Sequence, residues 1–167
     1  MRAANNFSFS QVPVANIPRS QFNRSHGVKT TFNAGWLIPI MVDDVYPGDT
    51  FNCKLHAFAR LATPKNPPMH NIYLDYFWFA VPYRLLQTNF VKMMGEQVDP
   101  GDSIDFHLPY MTSTAVTGYA EESLHDYLGL PTKVPGIVHT SVYHRAYNLI
   151  YREWFRDQNL IDSPVVS

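Results

Sequence analysis

Apolar and polar positions fall into extended, punctuated runs before Pro82 and into helix-like spacings after it. From Phe51 to Leu61 the chain alternates, with Phe51, Cys53, Leu55, Ala57, Ala59 and Leu61 on one side. Asn52, Lys54, His56, Phe58 and Arg60 take the other side. A period of two predicts a half-buried strand, with Cys53 as a small core residue. Asn71 to Val81 is apolar or aromatic on both sides, and Asp75 is its lone charge. That pattern predicts a strand covered on both faces. Trp36 to Asp44 places Trp36, Ile38, Ile40 and Val42 on one face. Pro39 lies inside this run and cannot donate to a ladder, so the segment reads as an edge, a bulge or a strand switching sheets. Lys29 to Asn33 reads as a short strand. Tyr46-Pro47-Gly48-Asp49 predicts a type II turn, because Pro presets φ and Gly accepts a positive φ.

After Pro82 the period changes. Leu85, Leu86, Phe90, Val91, Met93 and Met94 predict a helix over 84–94, stopped by Gly95. Asp99-Pro100-Gly101-Asp102 reads as a turn, Phe106 to Tyr110 as a short strand and Thr112 to Thr117 as a small-polar loop. Glu121 to Leu128 predicts a short helix whose two leading carboxylates suit the positive end of a helix dipole. Ser141 to Asp157 is the longest predicted helix. Val142, Ala146, Leu149 and Ile150 form one stripe, and Tyr143, Tyr147, Tyr151 and Trp154 or Phe155 form an aromatic one beside it. The fold class expected is mainly β, with helices inserted from about residue 84 onward. Residues 1–22 read as an extended N-terminal arm. Its spaced apolar residues suit either a neighbouring surface or plain disorder.

Composition sharpens this picture. Of 167 residues, 46% are hydrophobic and 14% aromatic, but only 16% are charged. Ordinary globular domains carry about 25% charge. Few charges and many aromatics suit a chain that buries surface against something beyond itself. A net charge of -1 gives no global attraction to nucleic acid. Locally, Arg2, Arg19, Arg24 and Lys29 are the only charges before Asp43, which makes them candidates for a nucleic-acid contact. The single cysteine excludes an intrachain disulfide and suits a reducing compartment. No stretch reaches the ~18 apolar residues of a membrane span, and no apolar leader is read at the N-terminus.

The residues offer no route to catalysis. The seven histidines are scattered and form no His-Glu-x-x-His set, and no second cysteine completes a zinc site. Asp43, Asp44 and Asp49 surround a turn without metal-loop spacing, so they read as solvated carboxylates. No nucleophile elbow, phosphate loop or dinucleotide fingerprint is present. No metal, cofactor or enzymatic activity is therefore expected. Arg60, Arg152 and Arg156 lie on aromatic-rich segments, as interface arginines do. Trp78, Phe79, Tyr147, Arg152, Trp154, Phe155 and Arg156 are the candidates for core or subunit contact. In a core, truncating Trp154 to alanine would cost ~3–5 kcal/mol.

Four ordered blocks carry a family resemblance. They are the run from Ser25-His26-Gly27 to Phe51, then Phe58-Ala59-Arg60-Leu61-Ala62-Thr63-Pro64, then Val81-Pro82-Tyr83-Arg84-Leu85-Leu86, and Ala146 to Leu160. In this order they resemble the N-terminal part of the major capsid proteins of Microviridae, and most closely the gokushovirus-type branch of these small single-stranded DNA phages. The resemblance implies a viral jelly-roll β-sandwich with helical insertions. It implies a structural subunit that assembles with copies of itself into an icosahedral (T=1) shell around circular single-stranded DNA. A small DNA-packaging protein is an implied partner, no membrane is, and the implied location is the virion, assembled in the bacterial cytoplasm. Family members are much longer, so 23–167 is expected to form an incomplete jelly-roll domain that needs a partner. A carbohydrate-binding, lectin-like jelly roll is the alternative from another class, since aromatic platforms suit sugars.

Overall fold

The computed structural model describes residues 16–164. Among them, all regular secondary structure lies after Pro82. Helix α1 spans Tyr83–Leu86, α2 Phe90–Met93, strand β1 Tyr110–Thr112, α3 Leu124–Tyr127, β2 Val138–Thr140 and α4 Val142–Ile150. A π-helical turn, Tyr151–Phe155, continues α4.

Strands β1 and β2 pair antiparallel, with Tyr110 opposite Thr140, Met111 opposite His139 and Thr112 opposite Val138. Flanking bonds extend this ladder at both ends, from Ser113 N to Ile137 O at 2.9 Å and from Ser141 N to Pro109 O at 2.8 Å. Ser113 Oγ also donates to Val134 O at 3.0 Å and accepts from Ile137 N at 2.9 Å. An isolated parallel bridge joins Tyr119 to Thr132. Beside it Gly118 has φ +67°, and a Cβ there would collide with the Val134 backbone. Only glycine permits that backbone approach.

The mainly β expectation is met only in part. The segments 29–33, 36–44, 51–61 and 71–81 form no ladder. Phe58 is 94% exposed, and Cys53 is exposed rather than in a core. Alternation specifies which face of a strand is apolar, but a strand also needs a neighbour for its N–H and C=O groups. None of the described segments supplies that neighbour. The strand expected over 106–110 begins at Tyr110 instead, and Thr112 belongs to it rather than to the loop.

Turn chemistry is observed as expected. Asp49 N bonds to Tyr46 O at 3.1 Å, and Gly48 has φ 87°. Asp102 N bonds to Asp99 O at 3.0 Å. The helix expected over 84–94 divides at Gln87, which is extended. Its side-chain amide donates to His107 O at 2.9 Å. The helix expected to open at Glu121 starts at Leu124. Glu122 has φ 58°, which is incompatible with a right-handed turn, and Glu121 pairs with Lys133 at 2.6 Å.

The core is small and half polar. Leu86, Tyr119 and Val142 are its buried apolar residues, and Ser113, Ser141 and His144 its buried polar ones. Helix α4 organises it, packing on α1 while Arg145 Nη1 donates to Leu86 O at 3.1 Å. The arm expected over 1–22 lies outside the described residues up to 15.

Candidate functional site

Three constructions stand out, and each uses α4 or the π turn that continues it. The first is a set of tyrosine hydroxyls that tie unpaired chain to the helices. Tyr147 donates to Leu37 O at 2.9 Å, and Tyr127 on α3 donates to Thr31 O at 3.0 Å. Tyr83 and Tyr143 donate to the two oxygens of Asp44, at 2.6 and 3.0 Å. Burial, then the bond to Asp44, raises the pKa of both phenols. Burial also raises that of Tyr147. Of the three carboxylates expected to be solvated, Asp43 and Asp44 are therefore engaged, whereas Asp49 stays exposed at its turn. Asp43 is largely buried and meets Arg24 at 3.0 Å, while Asp49 Oδ2 accepts from Tyr46 N at 3.1 Å.

The second is an aromatic face. Phe155 packs edge-on against Phe77 at 5.5 Å and Phe79 at 6.1 Å between ring centres. Trp154 meets Phe79 edge-on at 5.7 Å. With Trp78, these rings line an open groove of about 440 Å³. Trp154 remains 73% exposed, and Phe77 and Trp78 are also exposed. A neighbouring hollow of about 460 Å³ is lined by Trp36, Leu37, Tyr127, Tyr147, Tyr151 and Phe155. The π turn brings Trp154 and Phe155 together onto Phe79; its closing bond runs from Arg156 N to Tyr151 O at 2.8 Å.

The structure thus joins four of the seven expected contact residues: Phe79, Trp154, Phe155 and, through the shared groove, Trp78. Tyr147 lies one hollow away. Arg152 is spent on its own neighbour, with Nε and Nη2 donating to Glu153 Oε1 at 2.9 and 2.8 Å. Arg156 donates to Ile161 O at 2.8 Å. Of the basic candidates, Arg19 bonds to Gly48 O and Arg24 to Asp43, Lys29 is exposed, and Arg2 lies outside the described residues.

The third construction is a histidine cluster that the sequence hides. His125, His139 and His144 come from α3, β2 and α4 and gather beside Tyr119. Among the described residues, no group of three or more His, Cys, Asp or Glu is placed to hold a metal ion. Nor is any helix there long and apolar enough to cross a membrane.

An exposed aromatic face without a polar constellation to orient a substrate suits contact between chains. Comparison with known proteins points the same way. The family described as capsid protein (F protein) matches residues 10–167. This chain belongs to that phage capsid protein family. It is 45% identical over 162 residues to capsid protein VP1 of Bdellovibrio phage phiMH2K, covering 97% of this chain and 30% of that protein. Capsid protein VP1 of Chlamydia phage 1 is 45% identical over 161 residues, 93% of this chain and 27% of its own length. VP1 of Spiroplasma virus 4 is 37% identical over 153 residues, 91% of this chain and 28% of its own. The chain therefore spans about 30% of the length of the first capsid relative.

Proposed function

We propose that this chain forms part of a structural subunit of a bacteriophage capsid, and that its work is to cover apolar surface against other capsid segments. The observation that carries this reading is area. The chain exposes 15159 Å². A compact monomer of 19.2 kDa exposes about 8,400 Å² by the usual scaling with mass. The excess includes large rings at the Phe77–Phe79 and Trp154–Phe155 face. Monomers rarely leave such patches uncovered, and obligate interfaces resemble a core cut in half.

Under this reading the segments 51–61 and 71–81 become strands of a jelly-roll sandwich when their neighbours arrive. Residues 23–167 are then one part of that domain and 1–22 an arm. Copies of the complete subunit close a T=1 shell around single-stranded DNA, with a small packaging protein as a further partner. Assembly takes place in the host cytoplasm and the product is the virion. Arg2, Arg19, Arg24 and Lys29 are the candidates for phosphate contact, with Arg24 shared with Asp43 and Arg19 with Gly48 O, and no catalysis is needed. The matched relatives are all named as capsid proteins. Nothing among them favours the carbohydrate-binding alternative.

A chimaera tests the reading. These residues replace the matching part of VP1 of phage phiMH2K, and particles are sought by electron microscopy under conditions in which the parent assembles. Shells of parental size are expected. A soluble chimaera that forms none would refute the assignment.

A further inference from the structure

His125, His139 and His144 sit on three different elements, yet their rings share one site. Ring centres lie 4.5 Å apart for His125 and His144, 5.4 Å for His139 and His144, and 6.4 Å for His125 and His139. Tyr119 stacks on His125 at 3.8 Å and 12°. Its hydroxyl lies 2.7 Å from His139 Nε2. His139 Nδ1 lies 2.8 Å from Thr140 O, and a carbonyl only accepts. Nδ1 therefore carries the proton, and Nε2 accepts from Tyr119.

His144 is 7% exposed, and neither of its ring nitrogens has a partner. His125 Nε2 is also buried without one. The charged groups on the surrounding elements are engaged elsewhere. Asp126 on α3 accepts from Glu122 N, Glu121 holds Lys133, and Arg145 on α4 donates to Leu86 O. Tyr143 on α4 donates to Asp44. Among the described residues, no carboxylate is bonded to any of the three rings. An imidazolium here would be buried without a counter-charge, beside two more imidazoles.

We propose that this cluster is an acid-sensitive latch: neutral, it clamps α3 and β2 onto α4, and proton uptake at mildly acidic pH opens that junction. Burial, reinforced by His125 and then His139, pushes His144 down from 6.5 to about 4. Burial, and then His139, also lowers His125. The sign follows from where the proton binds more tightly. An opened His144 takes up a proton below its ordinary value of 6.5, whereas the closed form resists until about 4. The closed state is therefore fully favoured above 6.5 and loses ground as pH falls from there towards 4. Linkage at His144 alone shifts the closed-to-open ratio by about 20-fold between pH 7 and 5.

Hydrogen–deuterium exchange on this chain, corrected for the intrinsic pH dependence of exchange, tests the latch. The reporters are the amides of Met111, Ser113, His139 and Ser141, which point into the antiparallel β1–β2 ladder and its two flanking bonds. Their protection is expected to fall about 20-fold from pH 7 to 5. In His144→Phe, which keeps a ring but cannot titrate, the decline should shrink to what His125 contributes. Unchanged protection in the native chain, absence of protection at pH 7, or an identical decline in the variant would overturn the proposal. If His144→Phe does not fold, NMR titration of the His144 ring in the unaltered chain decides. A midpoint near 4 supports the latch, and one near 6.5 removes it.

Discussion

Asp44 shows how single side chains position this chain. Its two oxygens accept from Tyr83 on α1 and Tyr143 on α4, so one carboxylate ties unpaired backbone to two helices. Both phenols titrate above their ordinary value of 10, through burial and then the bond to Asp44. A raised phenol stabilises the folded form below pH 10, and that contribution is lost as pH climbs through the folded value. In Asp44→Asn one oxygen acceptor becomes an amide donor. Destabilisation of about 1–3 kcal/mol is expected. The checking measurement is the phenolate absorbance titration, in which the two phenols should shift to lower pH; a superimposable curve would sink the assignment. The Asp43-Asp44 pair was visible in the sequence as a carboxylate pair beside a turn. Its partners were not, because Tyr83 and Tyr143 lie 39 and 99 residues away.

At the scale of elements, α4 and its π turn form the hinge between the small core and the open face. Val142 and His144 are buried, whereas Trp154 is exposed. The loss of ~3–5 kcal/mol expected for a core Trp154 therefore does not apply to this chain. An exposed edge-to-face pair with Phe79 contributes about 0.5–1.5 kcal/mol. Trp154→Ala should change chain stability by no more than that in chemical denaturation, yet abolish or sharply reduce assembly of the chimaera. A large stability loss in the chain alone would place Trp154 in a core after all. The aromatic stripe Tyr143, Tyr147 and Tyr151 was legible as a helix face from its i, i+4 spacing. What the stripe touches was not, since two of its hydroxyls serve distant acceptors at Asp44 and Leu37 rather than packing as rings. The π turn left no periodic signature, because one widened turn is too short to shift a repeat.

At the scale of the molecule, the exposed area sets the behaviour. With Leu86, Tyr119 and Val142 as its buried apolar residues, the small core leaves large aromatic side chains at the surface. Isolated, the chain should self-associate as concentration rises and bind an apolar dye. Sedimentation velocity and dye titration check this together. A monodisperse monomer that binds no dye would show that the apolar face is covered some other way.

The sequence by itself determined what is local. The Tyr46–Asp49 turn, the stop at Gly95 and the helix around Tyr147 follow from φ preferences and from spacings within a few residues. The family membership was equally legible, because long blocks in a fixed order are specific. Only the tertiary structure decided the rest. Whether 51–61 and 71–81 pair, which phenols reach Asp44, and that His125, His139 and His144 meet are all long-range facts. Alternation encodes a face and not a partner, and a side chain's type does not encode the distance across which the fold will use it.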